Sequence, residues 1–246
     1  MANLPRVVIL TGAGISAESG LKTFRDSNGL WENHKIEDVA TPEAFAGNPD
    51  LVYGFYNDRR AQLQLPNVKP NRAHEALASL ESVFGNNVLL VTQNVDNLHE
   101  RAGSKNIIHM HGKLLSSRCI NSGRSHTWHS KFDASTPCPC CTPASAMRPD
   151  IVWFGEMPMY MDNIILALTK ADIFLSIGTS GQVYPAAGFV QVAKDSGART
   201  VELNLQPSDK CALFDESYLG RASMIVPQFI HSLIDEYALT QQNSLL

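Results

Sequence analysis

No stretch of the sequence approaches the roughly 18 consecutive apolar residues that a membrane-spanning helix needs, so no membrane association is expected. The segment 1–6 lacks the charged start and apolar core of a secretory leader, and the expected location is the cytoplasm. Basic residues are few and scattered. Lys and Arg number 20 against 24 Asp and Glu, the formal net charge is −4, and no cluster supplies the electrostatic footprint of a nucleic-acid binder. Cysteine is also scarce, with five in an odd count, three of them crowded into Cys138-Pro139-Cys140-Cys141. That spacing suits metal ligation in a reducing compartment better than a disulfide framework.

What is present is an ordinary globular composition, 44% hydrophobic and 18% charged over 246 residues, enough for one large α/β domain or a domain with an insertion. Short β-branched or apolar runs at 7–10, 88–91, 107–110, 151–154, 173–177, 200–203 and 224–226 read as strands. Helical spacing occupies 72–84, 161–170, 185–194 and 229–237. The alternation predicts a mostly parallel sheet covered on both faces. Two segments break it. Residues 26–70 are largely helical with Pro42, Pro49 and Pro66 as breakers, and residues 115–149 are polar with little periodicity. The expected organisation is a discontinuous main domain (1–25, 71–113 and 150–246), a helical insertion (26–70) and a cysteine-rich module (114–149), with the insertions forming a smaller lobe and the ligand cleft between lobes.

The strand ends are polar. The first runs into Gly12-Ala13-Gly14-Ile15-Ser16-Ala17, close to the Gly-x-Gly-x-x-Gly/Ala turn in which glycines allow backbone to approach a pyrophosphate. Others end in Thr92-Gln93-Asn94-Val95-Asp96-Asn97, in His111-Gly112, in Gly178-Thr179-Ser180-Gly181 and in Asn204-Leu205-Gln206-Pro207. One acidic group is missing. The residue that takes the ribose hydroxyls should close a second strand about 20 residues past the glycines, and the stretch with Phe24-Arg25 has no strand. Asn204 and the Gly178 turn are the alternative ribose partners. His109 and His111 alternate along one strand and are expected to share a face; a histidine near a sheet edge is commonly structural, yet His111 stands where an imidazole can act as general base on a sugar hydroxyl.

Structural zinc favours two Cys-x-x-Cys knuckles. Cys138 and Cys141 form one, with Cys140 as an alternative partner, whereas the earlier knuckle reads Cys119-Ile120-Asn121-Ser122. The metal is expected on Cys119, Cys138 and one or both of Cys140 and Cys141, with His126 or His129 able to complete it; unligated thiols are the other reading. Cys211, in a helical stretch, is expected in the core.

Together the motifs resemble the sirtuins, NAD-dependent protein lysine deacylases, from about Val7 to the last helix. Gly12-Ala13-Gly14-Ile15-Ser16, Thr23-Phe24-Arg25, Gln93-Asn94-Val95-Asp96, His111-Gly112, Val152-Trp153-Phe154-Gly155-Glu156, Gly178-Thr179-Ser180 and Asn204 fall in the family's order. The Ser122 departure and the Cys-x-Cys-Cys run look like the short bacterial members related to the cobalamin-biosynthesis sirtuin. The resemblance implies a Rossmann-like, doubly wound sheet with a smaller zinc-bearing lobe. It implies NAD as co-substrate and adds Glu18, Leu205, Gln206 and Ala222 to the residues facing it. Asn94 and His111 become the catalytic pair, Val152, Trp153, Phe154 and Gly155 the strand that takes the substrate peptide, and acylated-lysine proteins the partners of a monomeric enzyme. Tyr56 and Arg59 share a helix face, by spacing alone a solvated one. The resemblance makes them a carboxylate site, as in the subgroup that removes succinyl and malonyl as well as acetyl groups. A mono-ADP-ribosyltransferase, a hydride-transfer dehydrogenase and a zinc-stapled interaction module are the competing readings.

Overall fold

The computed structural model describes residues 4–21, 30–31 and 34–243, with backbone alone at 30–31 and 239–243. In chain order the elements are β1 (Val7–Thr11), β2 (Leu30–Trp31), β3 (His34–Lys35), α1 (Ile36–Val39), α2 (Pro42–Gly47), α3 (Pro49–Leu63), α4 (Arg72–Phe84), β4 (Val88–Thr92), α5 (Leu98–Ala102), β5 (Ile107–His109), β6 (Gly112–Cys119), β7 (Ser125–Thr127) and β8 (Met147–Ile151). They continue with α6 (Met161–Leu168), β9 (Ile173–Ile177), α7 (Phe189–Asp195), β10 (Arg199–Asn204), β11 (Glu216–Leu219) and α8 (Ala222–Asn243).

Six strands pair in parallel in the order β11-β10-β9-β1-β4-β5. This is the 3-2-1-4-5-6 order of a doubly wound sheet, whose topological switch falls between β1 and β9, where a crevice opens beyond the strand ends. Both faces are covered because β1 has no polar side until Thr11. Val7 and Ile9 pack toward Leu77 and Leu80 of α4 and Ile230 and Leu233 of α8. Val8 and Leu10 pack toward Ile164 and Leu168 of α6 and Phe189 and Val190 of α7.

The second body combines α1–α3 with the three-stranded antiparallel sheet β7-β6-β8. Asn48 caps α3 through its side chain, accepting from the Leu51 amide, and Pro49 supplies a preset first turn. The buried face of α3 presents Val52, Phe55, Tyr56 and Leu63 to Leu114, Ile151 and Trp153. Beneath it Tyr53 and Phe132 close over Cys119, Cys138 and Met147.

Several expectations shift. The apolar run at 224–226 is not a strand but lies in the opening turns of α8, since a short apolar run cannot be told from a buried helix by periodicity alone. The outer strand is instead the polar Glu216–Leu219, exposed over most of its length and so without a hydrophobic signal. The run at 151–154 ends as a strand at Ile151, leaving Trp153 and Phe154 in a turn, and β5 stops at His109. Residues 185–194 divide into a 3-10 turn, Ala186–Gly188, and α7. The segment 115–149, read as aperiodic, contains most of the small sheet. Cys211 lies half-buried in a single 3-10 turn rather than in the core. No helix among the described residues is long and apolar enough to cross a membrane.

Candidate active site

A cleft of about 880 Å³ opens at the switch point between the two bodies. Its floor is the exit of β1. The Gly12-Ala13-Gly14 turn packs directly on the exit of β9: the Gly12 amide donates to Ile177 O at 3.0 Å and the Gly14 amide to Gly178 O at 2.8 Å. A Cβ at Gly12 would stand 2.8 Å from Gly178 O, and one at Gly14 2.8 Å from Gly178 Cα. The glycines are therefore demanded first by the close approach of two backbones. The turn continues as two 3-10 turns, Ala13–Ile15 and Ala17–Ser19, rather than an α-helix, and the Ile15 and Ser16 amides bond the Gly12 and Ala13 carbonyls. The glycine turn therefore opens no α-helix, and four of its amides, those of Gly12, Gly14, Ile15 and Ser16, already have backbone acceptors.

The β4 exit supplies the next wall. Gln93 Nε2 donates to Thr179 Oγ1 at 3.2 Å, and Asn94 Nδ2 donates to Gly12 O at 3.1 Å and Ser16 Oγ at 3.3 Å. Ser16 in turn donates to Asp96 at 3.0 Å, while the Leu98 amide donates to the other carboxylate oxygen. Asp96 is buried, which pushes its pKa up against these hydrogen bonds. Behind Ser16 lies His74, 3.5 Å from its hydroxyl; His74 Nδ1 accepts from the Asn71 amide, so Nε2 carries the proton that faces Ser16. Burial lowers His74 to about 4 and keeps it neutral. Asn71 also donates to Ile15 O and Ser19 Oγ. Asn71 and His74 were missed in the sequence, where 72–84 reads as an amphipathic helix; the signal was Asn-x-x-His at its start, a capping box with histidine at N3.

His111 stands in the turn after β5 and lines the cleft. Its Nδ1 lies 3.1 Å from Gln93 O, and a carbonyl can only accept, so Nδ1 bears the hydrogen and Nε2 the lone pair. Burial lowers its pKa, with the Gln93 bond opposing, so the ring is neutral at working pH. His109 does not join it. Both of its ring nitrogens face acceptors, Asn94 O at 3.2 Å and Glu100 Oε1 at 2.8 Å, away from the cleft, because the strand ends before the alternation reaches His111.

The opposite rim carries Asn204, whose Nδ2 donates to Thr179 O at 2.7 Å, together with Ser180, Leu205 and Gln206. From the small lobe come Tyr56, Arg59, Val152, Trp153, Phe154 and Gly155. The sequence reading passed over Gln182, Tyr184 and Asp209, rim residues in irregular chain. Three predicted contacts fall elsewhere. Ile15 is fully buried under the turn rather than on the cleft wall. Glu18 accepts from the amide and hydroxyl of Ser223, holding the start of α8, and Ala222 packs against the sheet core beside it. Phe24 and Arg25 lie outside the described residues.

A profile of the Sir2 family matches residues 12–185. The chain belongs to the Sir2 family. It is 58% identical over 234 residues to the NAD-dependent protein deacylase of Salmonella typhimurium, covering 95% of this chain and 86% of that protein. It is 58% identical over 230 residues to the protein of the same name from Pasteurella multocida, covering 94% and 98%. Among solved structures it resembles a Sir2 homologue bound to NAD, with a TM-score of 0.84 and 38% identity over 94% of this chain and 90% of that one. It also resembles a Sir2 complex with a p53 peptide and NAD, with a TM-score of 0.73 and 29% identity over 95% and 93%.

The cysteine-rich insertion gathers four sulfurs in a geometry compatible with a structural zinc. Those of Cys119, Cys138, Cys140 and Cys141 all lie within 4.8 Å of one another, with Cys119 to Cys141 at 3.7 Å and Cys140 to Cys141 at 3.9 Å. A tetrahedron with Zn–S bonds of 2.3 Å has edges of about 3.8 Å, so the set fits a four-thiolate site. Cys140 would thus supply the fourth donor in the place that Ser122 cannot; Ser122 instead sits 3.2 Å from the Cys140 sulfur. The Ser122 hydroxyl and then its amide pull the Cys119 thiol below its ordinary value. His126 and His129 are not part of the cluster.

Proposed function

We propose that this cleft removes acyl groups, acetyl and also succinyl or malonyl, from protein lysine side chains, consuming NAD and giving nicotinamide and O-acyl-ADP-ribose. The observation that carries the reading is His111, a neutral imidazole with its Nε2 lone pair available, in one cleft with Asn94, Asp96 and the Gly12–Gly178 floor, between two lobes. NAD lies across the glycine turn with its nicotinamide near Asn94 and Asp96. The acyl-lysine carbonyl oxygen attacks the ribose carbon that bears nicotinamide, the bond to nicotinamide breaks and nicotinamide leaves, and His111 takes a proton from the ribose hydroxyl that captures the acyl carbon. The bond from the acyl carbon to the lysine nitrogen then breaks, the free lysine amine leaves, and water supplies the oxygen that completes O-acyl-ADP-ribose. The peptide lies along Val152–Gly155, where the Val152 and Phe154 amides already donate to His111 O and Ala40 O and hold the segment in place.

A clustered thiolate set supports a reducing, cytoplasmic setting, and the net charge of −4 supports protein rather than nucleic-acid partners for a monomer. Mass analysis of one peptide, acetylated or succinylated, after incubation with NAD tests the reaction. Nicotinamide and acyl-ADP-ribose are expected, absent with His111→Tyr. Reduced NAD would identify a dehydrogenase and ADP-ribose left on the peptide a transferase. Arg59→Met is expected to lower kcat/KM on the succinyl peptide by about 30-fold, the loss of one charge-assisted contact, while largely sparing the acetyl peptide. Equal loss on both would refute the carboxylate subsite.

A further inference from the structure

Two imidazoles carry on the pairing of β4 with β5 after the strands part. The ladder ends with Thr92 opposite His109. Thr92 O accepts from the Met110 amide at 3.0 Å, and Val95 O from the Leu114 amide at 2.8 Å. For the two carbonyls between them side chains take over: Gln93 O accepts from His111 Nδ1 at 3.1 Å and Asn94 O from His109 Nδ1 at 3.2 Å. Residues 109–114 thus hold every carbonyl from Thr92 to Val95, the loop that walls the cleft.

His111 lines the cleft and His109 does not; the latter is 4% exposed and reaches no ligand. A carbonyl can only accept, so His109 Nδ1 bears the hydrogen of its bond to Asn94. The ring is anchored from the other side, where Nε2 lies 2.8 Å from Glu100 Oε1, on which Lys113 Nζ also converges at 3.2 Å. The main chain of Asn94 is therefore held by side chains at both ends, its amide donating to Thr92 Oγ1 at 3.0 Å and its carbonyl accepting from His109. That backbone sets where Asn94 Nδ2 meets Gly12 O and Ser16 Oγ. Without the imidazole donor a buried carbonyl loses its partner, and the peptide unit after Asn94 turns to find another, drawing Nδ2 off the glycine turn.

We infer that His109 is a positioning residue for NAD cleavage: its Nδ1–H fixes the Asn94 backbone, and with it the nicotinamide side of the cleft, without touching a ligand. The inference rests on the reading of Asn94 as a residue beside the nicotinamide. A residue acting in this way governs the NAD side and leaves the small lobe, which takes the peptide, unaltered.

The test is steady-state kinetics of the full chain with NAD and an acetylated peptide, comparing parent, His109→Gln and His109→Asn. The side-chain nitrogen of Asn falls at the place of Nδ1 and that of Gln at the place of Nε2, so the Asn variant keeps the donor to Asn94 O and the Gln variant only the link to Glu100. His109→Gln is expected to lower kcat/KM for NAD about tenfold with KM for the peptide unchanged, and His109→Asn to restore it to within about twofold of the parent. Equal falls in the two variants, or a rise in peptide KM that matches the loss with NAD, overturns the inference. Should both variants melt far below the parent, the ring resonances of the isotope-labelled parent decide: His109 Nδ1 should carry its hydrogen and shift when nicotinamide alone is added, and a bare Nδ1, or a resonance indifferent to nicotinamide, overturns the role. A parent that releases no nicotinamide from NAD with an acetylated or a succinylated peptide sinks the proposed function and this inference with it. An active parent whose Gln and Asn variants fall alike sinks the positioning role alone.

Discussion

At the scale of single residues, protonation states are set by burial and by what each hydrogen-bond partner can accept. His111 must be neutral to act as a base, and burial lowers its pKa. The acid limb of kcat/KM against pH is therefore expected with a midpoint below the ordinary imidazole value of about 6.5. A midpoint at or above it would exclude His111 as the titrating group. Asp96 goes the other way, since burial raises a carboxyl. An acid whose folded pKa exceeds its unfolded one stabilises the fold only at low pH and costs stability as pH rises from about 4 through the folded value. Asp96→Asn should then raise the melting temperature more at pH 8 than at pH 4 while lowering NAD turnover; a variant less stable at pH 8 would show that the Ser16 and Leu98 bonds outweigh burial. The residue types at the strand ends made these side chains readable in the sequence. Their roles were not all readable: His109 and His111 look equivalent two residues apart, and only the end of β5 at His109 sends one to Glu100 and the other to the cleft.

Elements are positioned by backbone contacts that side-chain patterns barely report. The exits of β1 and β9 interlock: Gly178 has a φ of 63°, and a Cβ there would collide with the Ile15 amide nitrogen. Gly178→Ala is expected to cost at least about 1 kcal/mol, lowering the melting temperature by about 2–4 °C for each kcal/mol, with NAD binding weakened in parallel. Calorimetry and NAD titration measure both, and an unchanged melting point would contradict the interlock. Strands with continuous apolar runs, such as β1 and β9, were legible because a sheet buried on both faces demands them. Glu216–Leu219 and residues 224–226 were not. The first gains strand structure only by pairing with β10, and the second is short enough that Ala222, Val226, Phe229, Ile230 and Leu233 are needed to reveal its helical period.

For the whole molecule, the cleft depends on two bodies that share few local signals. The small lobe is held by long-range contacts: Tyr53 bonds the Met147 carbonyl, Asn57 Nδ2 donates to Phe132 O at 2.9 Å, and Arg60 Nε to Leu114 O at 3.1 Å. Removing zinc with a chelator should loosen this lobe first, raising KM for the acyl peptide and changing tryptophan fluorescence near Trp128, while NAD affinity at the large sheet changes little. One zinc per chain, reduced in Cys140→Ser, is the accompanying metal analysis; equal loss of NAD and peptide binding would show the bodies are not separable in this way. The sequence alone determined a mostly parallel sheet covered on both faces and the polar strand ends at the cleft, because apolar periodicity and strand-end residue types are local properties, and its ordered motifs carried the resemblance that implied the doubly wound order and the family. Tertiary structure alone decided that Cys140 joins the sulfur cluster beside Ser122, that the glycine turns face each other rather than only a ligand, and that the Trp153 indole donates to Tyr56. Each joins residues far apart in the chain, and such meetings are set by how layers pack rather than by any spacing along it.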